Sequence, residues 1–169
     1  MKFKKIICWP PLLGGIGAGV TIGILAYITF QSILAGTNYG LWLAASFGSS
    51  VVVVFGYPHN EFSQPKNVLF GHLLCALVGI IFVIFFKISQ DRTIFFLAIG
   101  LAVGLAVMLM MALKITHPPA GGNTIVVLLA QDSFQFLIFP IMSGAITIII
   151  GGIIYNRFIL KKKYPIKWI

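Results

Sequence analysis

Two stretches of this chain carry residues able to do chemistry in an otherwise apolar sequence. The richer one is Thr116-His117-Pro118-Pro119-Ala120-Gly121-Gly122-Asn123-Thr124, followed by the apolar stub Ile125 to Ala130. Pro118 and Pro119 cannot sit in a helix interior; they suit an extended approach followed by a helix start. Gly121 and Gly122 allow close backbone approach, and Asn123 or Thr124 can cap the new helix. Such a start exposes free N–H groups and a partial positive charge, which suits an anion. The second stretch, Gly48-Ser49-Ser50 followed by Val51 to Val54, supplies the same elements at an equivalent place. Two such starts meeting near the middle of a membrane would form a compact anion site from backbone and hydroxyls, with no buried lysine. The plainer reading, that small and hydroxylated residues only let helices pack, stands beside it. Packing alone, however, does not call for two consecutive prolines.

The titratable residues sort around these stretches. His117 adjoins the break and could bind or gate a substrate, or hydrogen-bond a freed carbonyl. His72 lies within an apolar run, where an ionisable residue is a functional candidate, although an interfacial structural role is open too. His59 belongs to a polar loop and reads as solvated. The three histidines lack ligand spacing, so no metal is expected. Lys66 and Lys114 could draw anions to a mouth by their field, or could simply snorkel from helix ends. Asp132 could cap the helix that follows it, and Asp91 with Arg92 reads as a solvated turn. Cys8 and Cys75 sit in apolar surroundings without CxxC spacing and read as small hydrophobic fillers. No phosphate loop, carboxylate pair or nucleophile–base pair is present, so neither an enzyme nor a cofactor is expected.

The elements that must hold these residues are set by composition. Of 169 residues, 59% are hydrophobic and only 9% are charged, with a mean hydropathy of +1.04. So few charges cannot cover a surface in water, so a lipid bilayer must cover part of it. The net charge of +9 is concentrated at the ends, in Lys2, Lys4 and Lys5 and in Arg157, Lys161, Lys162, Lys163 and Lys167. Positive flanks beside apolar helices orient a membrane protein, so the charge speaks of topology and not of nucleic acid. Apolar runs cover Leu12 to Ala35, Val68 to Phe86, Ile94 to Leu113 and Phe134 to about Ile154. Each is long enough to cross a ~30 Å hydrocarbon core. Leu41 to Phe55 and Ile125 to Ala130 are shorter and broken. The lysines before the first run resemble a signal peptide, but the run is long and lacks a convincing cleavage site, so a retained helix is expected. Gly15, Gly19 and Gly23 in that run have the spacing of a close helix–helix contact, and a homo-oligomer, dimer or trimer, is expected from it.

The sequence reads as two copies of long, short-broken, long, with Gly48 to Val54 aligned on Gly122 to Leu128. Interrupted segments at matching places in two halves point to a transporter binding site. Basic termini predict an even number of crossings with both ends cytoplasmic. Short segments that cross would give six spans with inverted repeats, and segments that re-enter would give four; six is weakly favoured.

Thr116 to Thr124, with His117-Pro118-Pro119-Ala120-Gly121 at its centre, resembles the signature of the HPP family of small integral membrane proteins. Phe47-Gly48-Ser49-Ser50, continuing through Gly56-Tyr57-Pro58 and Gln64-Pro65-Lys66-Asn67-Val68-Leu69-Phe70-Gly71-His72, is similar to that family's other characteristic stretch. The resemblance implies four membrane spans. It also implies transport of a small inorganic anion, nitrite first and nitrate next, because chloroplast and cyanobacterial members are associated with nitrite transport. Members often carry proline before the phenylalanine-glycine pair, where this chain has Ser46.

The expectation is therefore a single all-α transmembrane domain over residues 1–169, with repeats at about 12–86 and 94–158, and no appended regulatory domain. It would be a transporter or channel in a bacterial inner membrane. Gly48, Ser49, Ser50, His117, Pro118, Pro119, Gly121, Gly122, Asn123 and Thr124 would line the site, with His72 and His117 gating or proton-linked. The rival is a non-transporting scaffold or assembly subunit whose broken segments are packing devices.

Overall fold

The structure is a computed structural model, and it describes residues 9–34, 43–86, 92–130 and 134–168. Lys2, Lys4, Lys5, Cys8, Asp91 and Asp132 lie outside the described residues, so the expectations attached to them are not addressed. The described chain is helical and contains no strand. Four helices carry spans long and apolar enough to cross a bilayer: Pro11–Gln31, Pro65–Phe85, Ile94–Ala112 and Leu137–Ile159. They belong to α1 (Trp9–Leu34), α3 (Pro65–Phe86), α4 (Arg92–Ala112) and the C-terminal helical run around α6 (Ser143–Gly152). The runs are apolar all round, as lipid-embedded helices are.

The two short segments are α2 (Leu43–Val51), which continues as a wide π turn over Val52–Gly56, and α5 (Gly121–Ala130), which a 3-10 turn over Pro118–Ala120 precedes. At ~1.5 Å per residue each is roughly 20 Å long, short of a ~30 Å core. The weak preference for six full crossings therefore finds no support, and four long helices with two short ones is the observed arrangement. The order long, short, long recurs, but the internal duplication itself is not established, because aligned residues occupy different places. Gly48, Ser49 and Ser50 stand in the second turn of α2, whereas Gly122, Asn123 and Thr124 lie in the first turn of α5. The expected helix start at Gly48–Ser50 is thus corrected.

α3 is the central helix. Half of its span is buried inside the protein, against 17% for the α4 span. On one side α3 meets α4 through a dry seam of Cys75, Val78, Phe82, Ala98, Ala102, Ala106 and Met110. The alanines recur every fourth residue and let the two backbones approach closely. On the other side Phe47, Val54, Phe55, Val68, Ala76, Ile80, Val127 and Ile148 form a core shared by α2, α3, α5 and α6. The last span is not straight: Phe139 leaves the helical region (φ −130°, ψ 112°) just before Pro140. Further along, Asn156 donates from Nδ2 to the Val54 carbonyl at 3.1 Å, partnering an oxygen in the wide turn after α2.

The loop before α3 is tied down by the C-terminal segment. Tyr164, fully enclosed, donates its hydroxyl to the Ser63 carbonyl at 2.8 Å, and burial pushes its pKa up so that it stays a donor. The Ile166 and Lys167 N–H groups reach Gln64 Oε1 at 2.8 and 3.3 Å. Gln64 Nε2 in turn bonds the Pro58 and Asn60 carbonyls at 3.0 and 2.8 Å. These bonds fix the position of the intervening Phe62 carbonyl.

Candidate functional site

A chain of polar side chains lies where α2, α3 and α5 meet, and Ser50 is at its centre. The Ser50 Oγ is 2.8 Å from His72 Nε2, 2.9 Å from His117 Nε2 and 2.9 Å from the Ser46 carbonyl one turn back along α2. His72 Nδ1 stands 2.7 Å from Asn123 Nδ2, and His117 Nδ1 stands 2.7 Å from the Phe62 carbonyl. Ser50, His72 and His117 are 0% exposed and Asn123 is 1% exposed. Such a cluster inside an apolar bundle is costly unless every member finds a partner.

The carbonyl of Phe62 dictates the hydrogen pattern. A carbonyl only accepts, so His117 Nδ1 carries its hydrogen. In the neutral ring Nε2 is then an acceptor and takes the Ser50 hydroxyl proton. Ser50 Oγ accepts in turn from His72 Nε2–H, and His72 Nδ1 accepts from the Asn123 amide, whose Nδ2 also lies 3.4 Å from the His72 carbonyl. The polarity runs in one direction from Asn123 to Phe62. Burial holds the His117 imidazole down to about 4, against the upward pull of the Phe62 carbonyl, so the neutral assignment applies near pH 7.

Packing locks the rings. The rings of His72 and His117 have centroids 5.0 Å apart, and Phe47 covers the other side of His72 at 4.8 Å. Gly71 is needed here, because a Cβ on it would stand 2.9 Å from His117 Cβ. Gly144 serves likewise on α6, where a Cβ would run into the Phe47 ring.

The other expected site residues divide. The start of the α5 segment does not offer free N–H groups, which corrects the backbone argument for an anion there. Pro118 and Pro119 have none, Ala120 donates to the His117 carbonyl at 2.9 Å, and Gly121 donates to the Pro118 and Pro119 carbonyls. Neither Asn123 nor Thr124 caps a helix: Asn123 holds His72, and Thr124 Oγ1 donates to the Cys75 carbonyl at 2.8 Å. Ser49 is exposed and Gly48 half-buried, away from the histidines' side of α2. Lys114, at φ 55°, lines a recess of ≈ 290 Å³ together with Glu61, Phe62, Asn67, Met111 and Thr116. Lys66 sits half-buried in the first turn of α3 and is not part of that recess, and His59 is exposed in its loop. Among the described residues, no group of His, Cys, Asp and Glu could hold a metal ion.

Three contributors were not assigned to the site from the sequence. Phe62 acts through a carbonyl, which no residue type announces. Asn67 donates to the Thr116 carbonyl at 2.9 Å and so fixes the approach to His117. Ser46 is 5% exposed, has no hydrogen-bond partner for its Oγ, and faces Gly122 at the start of α5.

The profile of the HPP transmembrane region matches residues 6–165. Two transmembrane proteins of Dictyostelium discoideum are similar. One is 35% identical over 130 residues, covering 75% of this chain and 45% of the relative. The other is 31% identical over 151 residues, covering 87% of this chain and 48% of the relative. The chain thus spans about half the length of the curated relatives it matches. No solved structure matches.

Proposed function

The chain belongs to the HPP transmembrane family and is an integral membrane protein, and from that premise we propose that it carries a small inorganic anion, nitrite first and nitrate next, across the bilayer. The observation that supports the reading is the buried chain of Ser50, His72, His117 and Asn123 at the crossing of the short helices. In lipid a broken helix is tolerated where it is enclosed in protein or lines a water-filled cavity, and ionisable side chains buried there are candidates for a substrate path. The donors that would receive the anion are the Ser46 and Ser50 hydroxyls, His72 Nε2–H and the Asn123 amide. All are neutral, so they would exchange internal bonds for the anion and release it again, whereas a buried lysine would hold it. Gly48, Ser49, Gly122 and Thr124 are not carried into this set.

The cluster is closed to solvent, so an anion would reach it only when helices part, as in a gated carrier. The Lys114 recess, which shares Phe62 with the cluster, would be one mouth, and its lysine would concentrate anions there. Placement of both termini on the cytoplasmic side belongs to the same proposal and rests on the basic residues near the two ends. Homo-oligomerisation rests on Gly15, Gly19 and Gly23, which face outward from α1 with open space beside them. The reading assigns no enzymatic step.

The test is nitrite uptake by proteoliposomes containing the purified chain, with nitrate, formate and chloride as competitors. Saturable uptake above empty vesicles is expected. No uptake of any of these anions by folded protein would favour the scaffold reading.

A further inference from the structure

Ser50 has one proton and three partners within hydrogen-bond distance, at 2.8, 2.9 and 2.9 Å. In the neutral cluster that proton is committed to His117 Nε2, because His117 Nδ1–H is held by the Phe62 carbonyl. One Ser50 lone pair is then unused, and the Ser46 carbonyl is in reach without receiving a hydrogen. The spare contacts become useful after one change. With a hydrogen on His117 Nε2 as well, both imidazoles donate into Ser50 Oγ, filling its two lone pairs. The Ser50 hydroxyl then turns to the Ser46 carbonyl, and Phe62 and Asn123 keep the bonds they had. Every close contact in the cluster becomes a real hydrogen bond only in this singly protonated form.

We propose that the Ser50 hub is a one-proton site that loads together with the anion, so that each anion crosses with one proton. The inference rests on the transport reading given above. The step balances simply: one N–H bond forms at His117 Nε2, the proton comes from the solution on the side the anion leaves, and both are released on the other side. A positive charge enclosed in the bundle is unfavourable alone and is offset when the anion arrives beside it and takes over donors from these internal bonds.

Among the described residues, no titratable side chain other than His72 and His117 takes part in the cluster. α2 carries no titratable side chain between Leu43 and Val51, and neither does α5. α3 contributes Lys66, Cys75 and His72 itself, with the Cys75 thiol directed at Met110 Sδ. The turn before α3 contributes Glu61, which is exposed, and the loop before α5 contributes Lys114, also exposed. Phe47, packed between His72 and α6, adds no charge.

The experiment uses proteoliposomes with equal nitrate inside and outside and one pH unit imposed, acid outside. Nitrate is the probe because the conjugate acid of nitrite crosses bilayers unaided. One-to-one coupling predicts about tenfold accumulation of nitrate inside per pH unit, unaffected by a potassium diffusion potential. His117→Gln can still donate to the Phe62 carbonyl but takes no proton, and it is expected to abolish accumulation driven by the pH difference. Uptake by the natural chain with no response to the pH difference would overturn the coupling and leave the transport reading standing. A tenfold response that survives in His117→Gln would also overturn it. If no anion moves at all, the transport reading fails. The proton site is then judged by histidine ¹⁵N spectra of the natural chain at pH 6 with and without nitrate. A doubly protonated His117 that appears only with nitrate upholds it, and unchanged spectra refute it.

Discussion

The two short helices carry similar sequence and do different work. In α5 the residues Asn123 and Thr124 face inward from the first turn and are spent on α3, one on the His72 ring and one on the Cys75 carbonyl. In α2 the aligned pair is Ser49 and Ser50; Ser49 faces out, while Ser50 ties both histidines together. The difference comes from where each helix begins. Two prolines start the α5 segment at residue 118 and leave its first turn without spare donors. α2 is already under way at Leu43, so its glycine and serines fall one turn later. Similar patterns of small and hydroxylated residues therefore mark a meeting place without fixing the role of each residue.

The comparison can be broken most sharply at Ser50. Ser50→Ala leaves two buried imidazole nitrogens without their partner, at ~1–3 kcal/mol each. It should lower thermal stability in detergent and cut nitrite flux at least tenfold; wild-type flux in the variant would show that the α2 side of the cluster is dispensable. Acid should expose the other side. His117 titrates near 4 in the fold against 6.5 when unfolded. The unfolded chain therefore takes up the proton first as pH falls. Stability is full above pH 6.5 and declines as pH falls toward 4, by on the order of 3 kcal/mol from this group. Unfolding midpoints measured between pH 8 and 4 should show that slope, and His117→Gln should reduce it. Thr124→Val keeps shape and removes only the bond to Cys75, so a loss of about 1 kcal/mol is expected in the same assay. Ser49→Ala, on the exposed face of α2, should cost less than Thr124→Val in the same assay. Equal costs for these last two would mean that the helices are equivalent after all.

Much of this was legible in the sequence. The four long spans follow from apolar runs of sufficient length, and the two short elements follow from the polar interruptions within theirs. That His72 and His117 matter could be read from their place in or beside apolar helices, because an ionisable group there must be satisfied by something. Their convergence on a single serine could not, since Ser50, His72 and His117 are brought together only by the packing of α2, α3 and the loop before α5. Pro118–Gly121 offers no open helix start for a local reason: the prolines that announce the break also remove the donors it was expected to expose. Ser46, at the position where the family resemblance implies proline, sits in the first turn of α2, where proline is tolerated. Its carbonyl, which a proline would also supply, is the atom that Ser50 meets.

The most direct test of the central claim is nitrite uptake by Asn123→Leu in proteoliposomes, measured beside the natural chain after both are shown to be folded and monodisperse. Asn123 is bonded to the cluster through His72, and leucine keeps the branched shape, with somewhat more bulk, while offering no donor or acceptor. The account predicts that uptake falls to the level of empty vesicles. Unchanged uptake by the folded variant would contradict it and leave the buried cluster as a packing device.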